Sequence, residues 1–305
     1  MLASAGGAAG LREISVPGRP YPLYPAVMIR ARMKTRCAAL ALSSLLLAAC
    51  AGQPPAPPQT DFVLLGEVHD NAVQHRLRAE RLRALLADGR PTAVVFEQMP
   101  AARQAELAAA QQQHPRDVDA VVDAGQLDRK GWKWPLHQPL FEASLAGGAR
   151  VLGGNLGRDE LRRLMREGDA AWPPELLALV RQTPWSEAQQ QAQLKAIADG
   201  HCGALPAAMQ APMATAQRAR DASLAQALLA ARAAGAQRVV LIAGNGHVDR
   251  ALGVPRYLEA AGVAPETIHA VGYLEAGGGD TGRYDERVET AAAEREDPCK
   301  ALRQR

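Results

Sequence analysis

The stretch VLLGEVHDN, residues 63–71, determines both the expected fold and the place where chemistry is expected. A short, continuously apolar run ends at Gly66, and Glu67 and His69 follow it. An apolar run of this length is typical of a strand that is buried on both faces of a parallel sheet. Ligands of such sheets bind beyond the carboxyl ends of the strands. The stretch therefore predicts a central strand with a polar site at its end.

Four further apolar runs of strand length follow along the chain, at residues 93–96, 150–152, 239–243 and 268–273. Segments of helical composition or periodicity separate them, at residues 72–86, 101–113, 159–234 and 255–261. In the first of these segments Leu77, Leu82, Leu85 and Leu86 oppose a face of arginine and glutamate. Strands that alternate with helices are typical of α/β proteins. We therefore predict an α/β fold with a largely parallel sheet flanked by helices and with residues 159–234 as a helical insertion.

Polar side chains also follow the other predicted central strands. Glu97 comes directly after the run at 93–96, and Asn245 and His247 follow the run at 239–243. Because the carboxyl ends of adjacent parallel strands meet at one edge of the sheet, Glu97 and His247 are expected near Glu67 and His69. The predicted pocket thus contains two carboxylates, two imidazoles and an amide.

Three kinds of chemistry suit such a pocket. A carboxylate and an imidazole can act as base and acid. Neutral imidazole and carboxylate oxygen can bind a divalent metal ion. Imidazole can also ligate haem iron. A purely structural role is disfavoured, because buried carboxylates without a partner are costly.

Two polar pairs lie in the predicted helical insertion. His201 and Cys202 are adjacent in HCGALP, and Arg220 and Asp221 are adjacent in RDASLA. Arg220 is suited to bind a carboxylate or propionate and Asp221 to orient an imidazole. The alternative is an ordinary surface ion pair.

Aromatic residues are concentrated in WKWPLHQPLF, residues 132–141, although the whole chain is only 4% aromatic. Trp132, Trp134, His137 and Phe141 either form a hydrophobic cluster under a loop or provide a flat apolar surface for a planar ligand.

The segment MKTRCAALALSSLLLAAC, residues 33–50, has the form of a signal peptide. Lys34 and Arg36 precede an apolar run that is too short to span a bilayer. Small residues lead to Cys50, which resembles the bacterial lipoprotein pattern and implies lipid on Cys50 and removal of residues 1–49. Residues 1–32 are interpreted as an upstream extension. Residues 50–60 are rich in proline and are expected to form an extended tether.

The net positive charge of the chain comes from residues 1–49, the predicted leader. The whole sequence has a formal net charge of +3, but residues 1–49 carry six basic residues and one acid, so the remaining chain is at −2. No basic patch interleaved with aromatic residues remains, and nucleic-acid binding is not expected.

Two of the four cysteines, Cys202 and Cys299, remain once the leader is removed and Cys50 is lipidated. In a compartment that permits disulfides they form either a bridge that ties down the C-terminal tail or two free thiols. The expected division is a globular domain at 61–290 and a polar tail at 291–305.

Seven motifs in order resemble those of the ChaN-like haem-binding uptake lipoproteins, within the Tiki and erythromycin-esterase-like superfamily. They are LLGEVHDN, FEQM, WKWPLHQP, GGNLGR, HCGALP, RDASLA and IAGNGHV, and the resemblance runs from about residue 62 to 273. It implies an α/β fold, haem binding in iron uptake, an envelope location and a homodimer that holds haem between its subunits.

The resemblance also implies candidate haem contacts. Family members commonly carry tyrosine, an expected iron ligand, where this chain has His137; imidazole is an equally competent ligand. If His137 does not bind iron, the alternatives are Tyr257, Tyr273 and Tyr284. The other predicted cofactor-binding residues are Trp134, His201, Arg220 and Asn245.

Two functions follow. The first is a lipid-anchored haem-binding protein for haem uptake or storage, with a possible outer-membrane haem receptor as partner; Ala51 after the lipidated cysteine favours the outer membrane. The second is an esterase or peptidase, in which Glu67, His69, Glu97 and His247 are catalytic or bind a divalent metal ion.

Overall fold

The computed structural model describes residues 60–297 and 299–300. In this part of the chain six strands form one sheet in the order β3-β2-β4-β1-β5-β6, and every pair of neighbours is parallel. In chain order the strands β1 to β6 are Phe62–Leu65, Thr92–Pro100, Arg150–Asn155, Arg238–Ile242, Ile268–Glu275 and Glu286–Thr290. The predicted α/β class is confirmed.

Ten α-helices surround the sheet within the described residues. In chain order α1 to α10 are Ala72–Leu86, Gln104–Gln113, Val118–Ala124, Gln138–Ala146, Arg158–Glu167, Pro174–Gln182, Glu187–Gly200, Ala207–Ala233, Asn245–Val248 and Val254–Ala260. Helices α5 to α8 form the predicted helical insertion between β3 and β4. No helix in these residues is long and apolar enough to cross a membrane.

The sheet separates two hydrophobic cores. Alternate residues of β2 belong to different cores: Ala93 and Val95 pack with α5, α6, α8 and α10, whereas Val94 and Phe96 pack with α1 to α4. Because both faces are covered, the central strands are apolar at consecutive positions. The ring of Phe96 stacks on Phe141 of α4, with centroids 4.0 Å apart.

Helix α1 begins where the loop that carries Glu67 and His69 ends. The side chain of Asn71 accepts hydrogen bonds from the amides of Val73 and Gln74, which is the usual N-cap geometry. The cap fixes the direction of α1 away from the carboxyl end of β1. The first turns of α1 consequently pack against the loop of residues 66–70.

Strand β6 was not predicted. It is an edge strand whose side chains alternate between partly buried and exposed, so its sequence, ERVET, is polar. The predicted leader of residues 1–49, the lipidation site Cys50 and all of the tether except its last residue lie outside the described residues.

Candidate functional site

The carboxyl ends of β1, β2 and β4 converge at one edge of the sheet. Leu65 pairs with Ile242, and Ile242 pairs with Phe96. Beyond these residues the backbone amide of Gly244 donates to the Glu97 carboxylate at 2.8 Å. The structure thus places the polar residues that follow the three strands in a single region.

A buried group, here called the Glu67 cluster, consists of Glu67, His75, Arg78 and His137. The Glu67 carboxylate is fully buried and forms an ion pair with the equally buried guanidinium of Arg78. His137 donates from Nε2 to Glu67 Oε1 at 3.0 Å. Arg78 also donates to the carbonyl of Leu65 at 3.2 Å and to His75 Nδ1 at 2.9 Å. One arginine therefore ties the end of β1 to helix α1.

Both histidines of the Glu67 cluster are held neutral. Burial and the neighbouring His137 lower the pKa of His75 to about 3, and His75 Nε2 donates to the carbonyl of His69 at 2.9 Å. Burial and the charge of Arg78 lower the pKa of His137 to about 3. The only cation in the cluster at neutral pH is then Arg78, which balances Glu67.

By distance alone Glu67, His75 and His137 could hold a metal ion, because one ligand atom from each lies within 4.8 Å of the others. The donor set is a poor fit for a metal, however. The guanidinium of Arg78 already contacts the Glu67 carboxylate and His75 Nδ1, so a divalent ion there would face a like charge at close range. The four residues predicted to bind a divalent metal ion form two separate pairs. His69 contacts Glu67, and His247 contacts Glu97.

His69 connects the Glu67 cluster to solvent. Its side chain is 50% exposed, and its Nδ1 donates to Glu67 Oε1 at 2.7 Å. The ring packs edge-on against Trp132, with centroids 4.9 Å apart. Desolvation of the ring, assisted by the charges of His247 and Arg220, lowers the pKa of His69. The neutral imidazole thus has a fixed tautomer, with the proton on Nδ1 and a lone pair on Nε2.

Gly244 leaves room for that ring. A Cβ at this position would lie 2.8 Å from His69 Cε1 and 3.0 Å from Nε2. Any side chain at position 244 would therefore displace the imidazole, which explains the use of glycine after β4.

A second buried group, here called the His247 relay, consists of Asp221, His247 and Glu97. His247 contacts Asp221 Oδ1 through Nδ1 at 2.6 Å and Glu97 Oε1 through Nε2 at 3.2 Å. Burial alone would lower the pKa of His247, but the two carboxylates raise it to about 10. Although burial opposes ionisation of Glu97, the charge and hydrogen bond of His247 hold the pKa of Glu97 far below its usual range. The His247 relay therefore holds a protonated imidazole between the side chains of Asp221 and Glu97.

A cleft of about 910 Å³ opens above these groups. His69 and Trp132 lie on its wall together with Glu97. Three arginines also line it: Arg103, Arg158 and Arg220. An imidazole, an indole face and guanidinium groups can together accommodate a planar ligand that carries carboxylates.

Several residues predicted to bind the cofactor lie outside this cleft. Trp134 packs against Phe141, with the guanidinium of Arg129 over its indole. Asn245 forms hydrogen bonds with the backbone amide and carbonyl of Tyr273, which use both ends of its side chain. His201 lies at the end of α7, and its Nδ1 donates to the carbonyl of Ile197.

The sequence did not decide whether Cys202 and Cys299 form a disulfide or remain free thiols, and the structure joins them. Cys202 and Cys299 form a disulfide with a Cα–Cα distance of 5.5 Å across 97 residues. The bridge connects the loop after α7 to the C-terminal segment.

Comparison with known proteins places the chain in a family. The sequence profile described as "Haem-binding uptake, Tiki superfamily, ChaN" matches residues 57–258, and the chain belongs to this family. No protein with a curated description matches the chain.

Among similar solved structures, one with a TM-score above 0.5 has the same fold. A structure of ChaN of Campylobacter jejuni with cofacial haem has 18% identity and a TM-score of 0.60, over 71% of this chain and 82% of that one. A mutant of the erythromycin esterase EreC has 15% identity and a TM-score of 0.39, over 71% and 70%. A Bacillus cereus protein has 11% identity and a TM-score of 0.41, over 71% and 66%. The latter two similarities are too low to support an argument about function.

The neutral histidines predict an acid-sensitive fold. The unfolded chain binds protons at His75 and His137 near pH 6.5, whereas the folded chain does not until about pH 3. The free energy of unfolding should therefore fall as the pH drops below about 6.5 towards 4, by about 1.4 kcal/mol per pH unit for each histidine. Urea unfolding at several pH values measures this slope. His137→Gln should reduce it and the exposed His114→Gln should not; a flat profile would contradict the assignment.

Proposed function

We propose that the protein binds haem in the cleft at the carboxyl ends of β1, β2 and β4 and serves in haem uptake or storage. The observation that carries the proposal is the half-exposed, neutral imidazole of His69, oriented by a buried carboxylate at the wall of a large cleft. Membership of the haem-binding uptake family supports haem as the ligand.

The residues of the cleft fit haem. A neutral imidazole is a competent iron ligand, and a carboxylate on its other nitrogen raises its basicity and fixes its orientation. Trp132 offers an apolar face next to His69. Arg103, Arg158 and Arg220 line the cleft, where they pair with Glu106, Asp128 and Glu97, and the propionates of haem would compete with these carboxylates for the guanidinium groups. Bound haem would supply the iron that uptake delivers.

His69 is a better iron ligand in this proposal than the other candidates. His137 is fully buried and uses Nε2 to bind Glu67, so the cleft gives haem no access to it. Tyr257 and Tyr273 are also buried, at 0% and 2% exposure. The hydroxyl of Tyr284 donates to Asp280 near the start of β6.

We also propose where the protein is located in the cell. Lipid on Cys50 would anchor the protein in the bacterial envelope, at the outer membrane. Residue 60 precedes the amino end of β1, and the cleft lies at the carboxyl ends of the strands. Residues 50–60 would serve as the tether, and the proposed partner at the cleft is a haem receptor or a second subunit. We also propose a homodimer that holds haem between its subunits.

A hydrolase is the second candidate, and one observation favours it. The Glu67–His69 pair has the geometry of a carboxylate-oriented general base that faces a cleft. The His247 relay is less suited to this role, because an imidazole with a pKa of about 10 does not accept protons at neutral pH.

A haem titration of the purified protein, followed by Soret absorbance, tests the proposal. We expect a saturable and shifted Soret band with about one haem per chain, since one cleft contains one exposed imidazole. A spectrum identical to that of free haem would contradict haem binding.

The same preparation should be assayed for hydrolysis of p-nitrophenyl acetate. Under the haem proposal Glu67→Gln reduces haem affinity by about 10–100-fold, the usual effect of changing a residue that orients a metal ligand, because the amide oxygen still accepts from His69 but carries no charge. Ester turnover that is lost in Glu67→Gln, without haem binding by the parent protein, would instead establish the hydrolase.

A further inference from the structure

A smaller pocket of about 240 Å³ lies between α7, α8 and α9, on the other side of the His247 relay from the cleft. Gln193 and Ile197 of α7, Gln217 and Asp221 of α8, and Asp249 after α9 line its wall. None of its lining residues also lines the haem cleft. Its volume is slightly below the range of typical ligand pockets, which restricts the occupant to a small molecule.

Gln193 of α7 contributes an amide to the pocket. It is 4% exposed, and its side chain makes no hydrogen bond with any residue of the part of the chain that the structure describes. Because Gln193 lines the pocket, its donors and acceptor are available to whatever occupies the pocket.

Asp221 also has an oxygen without a partner. Its Oδ1 binds His247, but within the described residues its Oδ2 has no hydrogen bond although the residue is 1% exposed. Burial raises the pKa of Asp221 to about 6. The ionised form of this side chain would gain from a second donor on the pocket side.

Asp249 adds a second carboxylate to the pocket. It is 9% exposed, and its Oδ1 accepts from the backbone amide of Ala251 at 2.6 Å. Burial raises the pKa of Asp249 as well. Neither lysine nor arginine lines the pocket. The cation next to it, His247, is shared by Asp221 and Glu97, and Glu97 also pairs with Arg220, so the carboxylate of Asp249 leaves the wall with a net negative charge.

We propose that this pocket binds a small organic cation, a primary amine or a guanidine with a short apolar body. The ammonium group would bind Asp221 and Asp249, and the amide of Gln193 would supply a further hydrogen bond. Ile197 and Leu252 provide the apolar contacts. The assignment does not depend on haem binding.

The disulfide keeps the pocket formed. Gly200 and His201 lie on its wall, and Cys202 follows them directly. The bond to Cys299 fixes this loop to the C-terminal segment. A wall held in place before the ligand arrives lowers the entropic cost of binding.

Benzylamine is the probe, with benzyl alcohol as the uncharged analogue of nearly the same shape. The protein is labelled at isoleucine methyl groups, of which Ile197 lies in the pocket while Ile242 and Ile268 lie in the cores. We expect benzylamine to shift the Ile197 methyl resonance saturably and to leave the other two unchanged. Benzyl alcohol should bind at least tenfold more weakly.

Two variants and one control complete the test. Asp249→Asn keeps the shape of the side chain and removes its charge, and should weaken the binding of benzylamine at least tenfold. Gln193→Phe should fill the pocket and abolish binding. Asp199→Asn, on the exposed side of α7 and paired with Lys195, should have no effect. Retained thermal stability identifies variants that are folded. No saturable shift, equal binding of both probes, or unchanged affinity in both variants would overturn the assignment.

Discussion

Replacing Arg78 by methionine is expected to lower the free energy of unfolding by about 3–5 kcal/mol, as found when one partner of a buried ion pair is removed. The side chains of Arg78 and Glu67 are both 0% exposed. Methionine has a similar length but leaves the Glu67 carboxylate without its counter-charge. It also removes the hydrogen bond to the carbonyl of Leu65. Urea unfolding at pH 7 measures the loss.

Two further variants make the interpretation specific. The double variant Arg78→Met/Glu67→Leu removes both charges and should recover much of the stability, because the desolvation penalty disappears with the ion pair. Arg76→Met alters an exposed arginine on the same helix and should change little. If Arg78→Met costs no more than Arg76→Met, the buried ion pair is not what joins β1 to α1.

Substitution of His69 by alanine is expected to reduce haem affinity by more than about 100-fold, which exceeds the usual effect of changing a residue that only orients a metal ligand. His69 is the half-exposed imidazole of the cleft, and its Nδ1 is already engaged by Glu67. The loss of its Nε2 would leave the iron without a nitrogen ligand from this wall. A Soret titration of the variant beside the parent protein measures the change.

Spectroscopy separates a ligand from a structural residue. Free imidazole added to His69→Gly should restore a spectrum like that of the parent protein if His69 binds iron. His137→Gln should keep the parent spectrum, and the exposed His114→Ala should keep both spectrum and affinity. Unchanged affinity and spectrum in His69→Ala would show that another residue binds the iron.

The fold was predictable because its central strands are buried on both faces. Continuous apolar runs located β1 and β4, and the polar residues that follow them located the site edge. Strand β6 was missed because an edge strand exposes one face and carries charged residues at alternate positions. The sequence therefore indicated the interior of the sheet better than its border.

The site was predicted less completely than the fold. The leucines of residues 72–86 suggested an apolar buried face, yet α1 buries His75 and Arg78 in its first two turns. A charged residue in a sequence is normally interpreted as exposed. Its burial can be inferred only when the residue that balances its charge is known. That partner, Glu67, is 11 residues away. The burial of His137 could not be predicted either, because it depends on how the loop before α4 folds over the carboxylate of Glu67.

The two cores on either side of the sheet have a consequence for mutagenesis. The Glu67 cluster depends on α1 and the segment before α4, whereas the small pocket lined by Gln193 and Asp221 depends largely on α7 and α8, which are inserted between β3 and β4. Adjacent residues of one strand, such as Val94 and Val95, face different layers. A substitution that repacks the inserted helices would therefore alter the small pocket while it leaves the Glu67 cluster at the end of β1 unchanged.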